Sequence, residues 1–240
     1  MNSIEGIVIR NEDYKDADGL IDLVTPQKVI TVRAKGIRKA QSKNRMICQP
    51  FSSVEWMIED RGSLPLLING RVKHFYHCLQ SDLSAQALCM VLRDCMLRFG
   101  SSPEIFNCFE MVLSSLEKKD SKAYTWSVLL LKEILIHEGI QPYTDGCVFC
   151  RRKDKLASLS MKQGGFLCKE HMLGSDKKMS RDELLRIYSL FHVTEKDIQR
   201  FVDTYPFTME DIIYWSKWIE HYSHISLRSI RFLETVSAMN

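Results

Sequence analysis

No stretch of this 240-residue chain approaches eighteen consecutive apolar residues, so no membrane-spanning helix is expected. The opening MNSIEGIVIRNEDY has no basic lead, no hydrophobic stretch and no small-residue cleavage site, which points away from export and toward the cytoplasm. A phosphate loop of the form G-x-x-x-x-G-K-[ST], a G-x-G-x-x-G turn and a G-x-S-x-G elbow are all missing. No arrangement of acidic residues singles out a metal-dependent nuclease pair, and the expectation is a protein that is not an enzyme. Internal repeats, low-complexity tracts and long linkers are missing as well. What remains is 45% apolar and 26% charged, the composition of an ordinary globular protein, and its length suits two small domains with buried cores.

Period-two alternation runs through the first eighty residues: IEGIVIR (4–10), LIDLV (20–24), KVITVRA (28–34), SVEWMIE (53–59), LPLLING (64–70) and RVKHF (71–75). In KVITVRA one face carries Ile30, Val32 and Ala34 and the other Val29, Thr31 and Arg33, as in a sheet with one face buried. Turn-forming residues separate the runs, and Asn69-Gly70 is a tight-hairpin signal. Five or six short strands in this length predict a small closed barrel, an oligonucleotide-binding (OB) fold or a similar SH3-like one.

From Ser81 the period becomes helical. Leu83, Ala87, Val91 and Cys95 form one stripe ending at Gly100. Pro103 after Ser102 opens a second helix, and a third runs from about Lys122 to Glu138. Ser180 to Glu183 has capping-box spacing, and Thr194 and Thr208 precede acidic residues as helix starts do. The expected class is α+β multidomain: an N-terminal OB-fold β-barrel over 1–80, then an all-α domain over 81–240 containing a zinc-finger-like segment at 147–171.

Eight cysteines in a reducing compartment are not expected to form disulfides. Cys48, Cys78, Cys89, Cys95 and Cys108 are scattered where buried thiols are common. Cys147, Cys150 and Cys168 instead join His171 in C-x2-C-x17-C-x2-H, the spacing of a two-knuckle zinc site. Four protein ligands leave no position for water, so one such zinc per chain would staple structure without chemistry. The competing readings are incidental cysteines in a helix connection and a redox Cys-x-x-Cys, whose strand–helix setting is missing. His221 and His224 lack a third ligand, and His137-Glu138 does not continue into H-E-x-x-H.

Net charge is +3, but residues 1–80 hold 12 basic against 9 acidic groups while 81–240 hold 21 of each. Lys28, Arg33, Lys35, Arg38, Lys39, Lys43 and Arg45 fall within eighteen residues that contain no acid. Such a strand and loop can track phosphates; engaging all seven would give a log-log salt slope near −5, at about −0.7 per contact. The competing reading is a solvated face. Tyr14, Phe51, Trp56, Phe75 and Tyr76 are the aromatics available to stack on bases or to fill the core. A second cluster, Arg151, Arg152, Lys153 and Lys155, lies between the cysteine knuckles and is a possible further contact.

Barrel, helical remainder and cysteine segment, in this order, resemble the bacterial RecO family of DNA repair and recombination mediators. The likeness is carried by GIVIRNEDYKDADGLIDLVTP, AKGIRK, QPFSSVEW, CVFC and GGFLCKEH. Two departures stand out: the Thr-Pro-Gln-Lys turn lacks the glycine common there, implying an altered hairpin, and His171 occupies the place of a fourth cysteine while still offering a ligand. The resemblance implies a noncatalytic protein that binds single- and double-stranded DNA, anneals complementary strands, engages single-stranded DNA-binding protein, and joins RecR in loading RecA onto gapped DNA. The rival reading is a protein-only structural adaptor. A nuclease ranks third.

Overall fold

The six alternating runs become five strands, β1 (Asn2–Tyr14), β2 (Asp18–Val24), β3 (Val29–Ala34), β4 (Ser52–Glu59) and β5 (Leu66–Phe75), in the computed structural model, which describes residues 1–62 and 64–239. They close in the order β1-β2-β3-β5-β4. The long β1 serves two partners: Asn2 to Ile7 pair with β4, and Ile7 to Tyr14 pair with β2. A single parallel contact, Arg33 to Leu66, joins β3 to β5. Val8, Ile21, Leu23, Val32, Val54 and Leu67 fill the interior around Trp56, whose indole N–H donates to the Ile47 carbonyl at 3.0 Å. The face division read from KVITVRA holds, with Val32 and Ala34 buried and Thr31 exposed.

Asn69-Gly70 makes no hairpin. LPLLING and RVKHF run into one strand, with Gly70 opposite Trp56. A Cβ at Gly70 would lie 2.4 Å from the Glu55 carbonyl oxygen and 2.8 Å from the Trp56 ring, so glycine is required by close approach and not by a turn. The β2–β3 hairpin without its glycine is held by Thr25, whose hydroxyl donates to the Lys28 carbonyl at 2.8 Å and accepts from the Lys28 N–H at 3.2 Å.

Two buried carboxylates brace the barrel. Asp22 accepts from the Arg10 guanidinium and the Thr31 hydroxyl. Asp18 accepts from the Gly36 N–H and from Arg33 Nε, both at 2.7 Å. The Gly36 N–H first, and then Arg33, hold the Asp18 carboxyl below the usual range against the opposing effect of burial. A depressed folded-state pKa contributes stability that is complete above the unfolded value of about 3.9 and is lost as pH falls through the folded value. Asp18→Asn should therefore cost roughly 1–2 kcal/mol at pH 7. Urea titrations of the two proteins should converge on acidification through that window; a gap unchanged at pH 2 would contradict the assignment.

The helices begin where their caps are. Asp82 accepts from the Ala85 N–H at 3.0 Å at the head of α1 (Leu83–Phe99), and Ser102 accepts from the Ile105 N–H at 3.3 Å at the head of α2 (Pro103–Glu117). Then come α3 (Lys122–His137), a ribbon of β6 (Leu156–Ser160) and β7 (Gly165–Cys168), α4 (Arg181–His192), the short α5 (Ile198–Thr204), α6 (Met209–Ser223) and α7 (Ile230–Ser237). Ser180 and Glu183 complete the capping box at α4 with bonds of 3.1 and 2.7 Å. Cys48, Cys89, Cys95 and Cys108 are buried, while the Cys78 side chain lies outside the described residues.

The chain divides into two compact units, Met1–Ala123 with Leu227–Asn240, and Tyr124–Ser226. Residue 80, where strands give way to helices, lies inside the first unit. Phe51 of the barrel meets Phe109 of α2 edge-on at 6.5 Å, His74 meets Glu117 at 2.8 Å, and Asp94 of α1 accepts from the Ser229 hydroxyl at 2.7 Å just ahead of α7. Such contacts carry α1, α2 and α7 into the unit of the barrel. In the second unit Trp215 and Trp218 of α6 are buried, and the Trp218 indole donates to the Ile140 carbonyl at 2.9 Å. No helix among the described residues is long and apolar enough to cross a membrane.

Candidate metal centre and nucleic-acid interface

The ribbon β6–β7 brings the two cysteine pairs together. Gly165 at the start of β7 approaches the Tyr143 carbonyl so closely that a Cβ would lie 2.3 Å from its oxygen, and this seats the ribbon against the chain entering the first knuckle. The Cys147 N–H donates to the Arg152 carbonyl at 2.8 Å and the Arg151 N–H to the Cys147 carbonyl at 2.9 Å, folding the first knuckle back on itself. In the second, the N–H groups of His171 and Met172 donate to the Cys168 carbonyl at 3.0 and 2.9 Å. Cys147 and Cys168 are buried against Leu167, with Val148 and Leu156 beside them, and Cys150 is exposed.

The ligand atoms converge. Cys168 Sγ lies 3.2 Å and Cys147 Sγ 3.6 Å from His171 Nδ1, Cys150 and Cys168 Sγ are 3.8 Å apart, and all four atoms fall within 4.8 Å of one another. A tetrahedron with metal–sulfur bonds of about 2.3 Å has edges of about 3.8 Å, and slightly less where nitrogen replaces sulfur. Separations of 3.6 and 3.8 Å match that figure, the 3.2 Å pair is tighter and the remaining ones stay within 4.8 Å, so the four side chains could hold one metal ion. Burial raises the Cys147 thiol, but N–H groups of Cys150, Cys168 and Phe149 outweigh it and hold the thiol below its ordinary value. Cys168 behaves likewise, with burial opposed by the N–H groups of Glu170 and His171. At Cys150 the Arg152 N–H lowers the pKa, yet burial and the two neighbouring sulfurs raise it further. Three crowded sulfurs with backbone donors aimed at them suit thiolates that share a cation. Among the described residues this is the one Cys, His and carboxylate cluster fit for a metal, and His221 and His224 join none.

The seven basic residues of the barrel do not act as one group. Arg33 is bound to Asp18 at 2.6 Å, and Arg38 to Asp13 at 2.6 Å and to Asn11 at 2.7 Å. Lys28 sits in the β2–β3 turn, at the opposite end of six-residue β3 from Lys35. Lys35, Lys39 and Lys43 line one open cleft of about 760 Å³ that ends at Ile68 and Asn69 of β5, and the Asn44 amide fastens the loop by donating to the Ile68 carbonyl at 3.1 Å. Arg45 follows, exposed. Of the aromatics, Trp56 and Tyr76 are buried and Phe51 packs on Phe109, while Tyr14 lies under Arg33 at 5.8 Å. Between the knuckles, Arg152 is taken up by Asp154 and Glu170, and Arg151 lies 4.6 Å from the Tyr143 ring. Lys153 and Lys155 are exposed, and neither makes an ion pair among the described residues.

Residues 1–76 match the profile of the family described as Recombination protein O N terminal, and residues 83–183 that of Recombination protein O C terminal. The chain belongs to the recombination protein O (RecO) family. Among its relatives, the DNA repair protein RecO of Bacillus pumilus is 26% identical over 242 residues, spanning 98% of this chain and 94% of that one. That of Bacillus subtilis is 25% identical over 251 residues, spanning 100% and 96%. The RecO of Halalkalibacterium halodurans is 23% identical over 246 residues, spanning 98% and 95%.

The N-terminal RecO profile covers the whole basic segment, and the C-terminal profile covers all four metal-ligand positions. Two features of this RecO family member escape the sequence reading. Asp18 pairs with Arg33, one of the seven basic residues, and Lys169 and Arg181 stand beside Lys153 and Lys155 around a second cleft. The only linear signal for Asp18 is an acid placed early in a strand; for Lys169 and Arg181 there is none.

Proposed function

We propose that this chain is a noncatalytic recombination mediator in DNA repair. It binds single- and double-stranded DNA, anneals complementary single strands and, with RecR, helps load RecA onto gapped DNA coated by single-stranded DNA-binding protein, in the bacterial cytoplasm at the nucleoid. The barrel is read as an OB fold, and the ion at Cys147, Cys150, Cys168 and His171 as one structural zinc, since a three-thiolate, one-imidazole donor set favours that metal. The carrying observation is the cleft in which Lys35, Lys39 and Lys43 meet, all exposed and none in an ion pair among the described residues. Annealing makes and breaks no covalent bond. It requires that two phosphate backbones approach, which cations that neutralise them bring about. The bound zinc would supply rigidity and no reaction, its four positions being filled by protein.

The test is annealing of complementary oligonucleotides without ATP, by the parent and by the variant Lys35→Glu, Lys39→Glu, Lys43→Glu. Expected are an affinity for single-stranded DNA at least about tenfold weaker at physiological salt, a salt slope shallower by about 2, and slower annealing. Equal affinity and slope in both proteins would sink the reading and leave the protein-only adaptor in its place.

A further inference from the structure

We infer that the second unit carries a separate binding site for single-stranded nucleic acid, a cleft between the metal ribbon and α4. This deepens the proposed function and rests on it. The cleft holds about 590 Å³ and draws its cations from four places in the chain: Lys153 in the loop between knuckles, Lys155 just before β6, Lys169 just after Cys168, and Arg181 at the first turn of α4. All four are exposed and none makes an ion pair among the described residues. The one carboxylate on the rim, Asp145, is already engaged by His192 Nε2 at 3.0 Å. Four cations without close ion pairs, of which Lys155 feels Asp154 at longer range, gather around one depression, repel each other and favour an anionic occupant.

Tyr188 makes that anion a nucleic acid strand. Its ring is exposed on the rim and stacked on His192, with centroids 3.9 Å apart and planes 17° from parallel. The histidine is itself fixed at both nitrogens, by Asp145 and by the Tyr188 carbonyl at 2.8 Å, so the pair presents a rigid flat face to whatever lies over the cations. A planar base stacks on such a face while its phosphates meet the lysines, and the floor of Phe166 and Leu184 offers an apolar bed beneath. The hinge of this cleft is the metal site: Lys169 follows Cys168 directly, and its N–H donates to the Lys155 carbonyl at 3.0 Å. This bond, next to the pairing of Leu156 with Cys168, sets the spacing of two of the four cations. Of the four cations read from the sequence as a possible contact, Lys153 and Lys155 belong to the cleft, whereas Arg151 and Arg152 are held by Tyr143, Asp154 and Glu170.

Two full-length variants test it. Lys155→Ala, Lys169→Ala, Arg181→Ala should retain the metal and the helical signal of the parent, bind a labelled oligo(dT) about tenfold more weakly at moderate salt, and show a salt slope shallower by about 2. Tyr188→Trp, which adds a tryptophan at a solvent-exposed position, should be quenched when oligo(dT) binds. An unchanged slope and affinity in the alanine variant, with loss in the barrel variant above, would overturn this inference and leave the proposed function standing; no loss in either would overturn both. A labelled acidic peptide that binds the parent but not the alanine variant, with oligonucleotide affinity equal in the two, would assign the cleft to a protein partner and likewise overturn it.

Discussion

Cys147→Ser should yield a protein that purifies with well under half a zinc per chain, against about one for the parent, and that melts on the order of 10 °C lower. The direction follows from how little else holds the segment. Around the two buried cysteines the local core is Leu167 with Val148 and Leu156 packed beside it, and the ribbon adds only Ala157, Leu159 and Phe166. Four ligands drawn from two knuckles would add what that small core does not supply, and metal binding in isolated zinc modules is worth about 10–16 kcal/mol. Only part of that is at stake in a unit that also contains α3 and α6. A loss of several kcal/mol still corresponds to the stated shift for a unit of this size. His171→Cys supplies a different ligand at the same place and should keep its zinc, whereas His171→Ala should not. Metal content by emission spectroscopy and thermal melts by circular dichroism read out both. A parent protein with no bound metal, or a serine variant with parental melting, would refute a structural metal.

Gly70→Val should cost roughly 3 kcal/mol or more and separate two accounts of Asn69-Gly70. As a hairpin turn, the pair would need both residues for left-handed backbone. As part of β5, only Gly70 matters, because the obstacle is the main chain of β4: the Glu55 carbonyl at 2.4 Å cannot swing aside as a side chain would. The strand can accommodate a Cβ only by moving Trp56, the largest side chain in the barrel interior. Asn69→Ala should be nearly neutral and serves as the control. Chemical denaturation of the two variants decides the matter, and equal losses would restore the turn.

That misread dipeptide marks what linear pattern could and could not reveal. Alternation in KVITVRA and SVEWMIE, the caps at Ser102 and Ser180, and the Cys and His spacing are all local, and local rules of dihedral preference and ligand reach govern them. Asn-Gly is a local signal too, but here a contact with residues fourteen and fifteen positions earlier overrules it. Asp18 and Arg33, fifteen residues apart, form their bond only because β2 and β3 pair in register, so the sequence offers seven equivalent cations where the fold has already engaged two. Lys155, Lys169 and Arg181 share a cleft through the ribbon and the start of α4, which no run of adjacent charges announces. The clustering of the four candidate metal ligands was legible because a two-knuckle arrangement is built from short turns; the placement of the basic residues was half legible because charge can be counted along a chain but its partners cannot.

The division of the chain also bears on the order of its synthesis. The first unit is left at Ala123 and regained at Leu227, and α1 meets its partner α7 only after the whole second unit has been made. Ile230, Leu233 and Val236 are the buried residues of that returning helix. A nascent chain can close its barrel early and fold its second unit in passing, but the apolar side of α1 that awaits α7 stays open to solvent, or to a chaperone, until Ile230–Ser237 has emerged from the ribosome. The segment that carries α7, made after the whole second unit, therefore completes the unit begun before it.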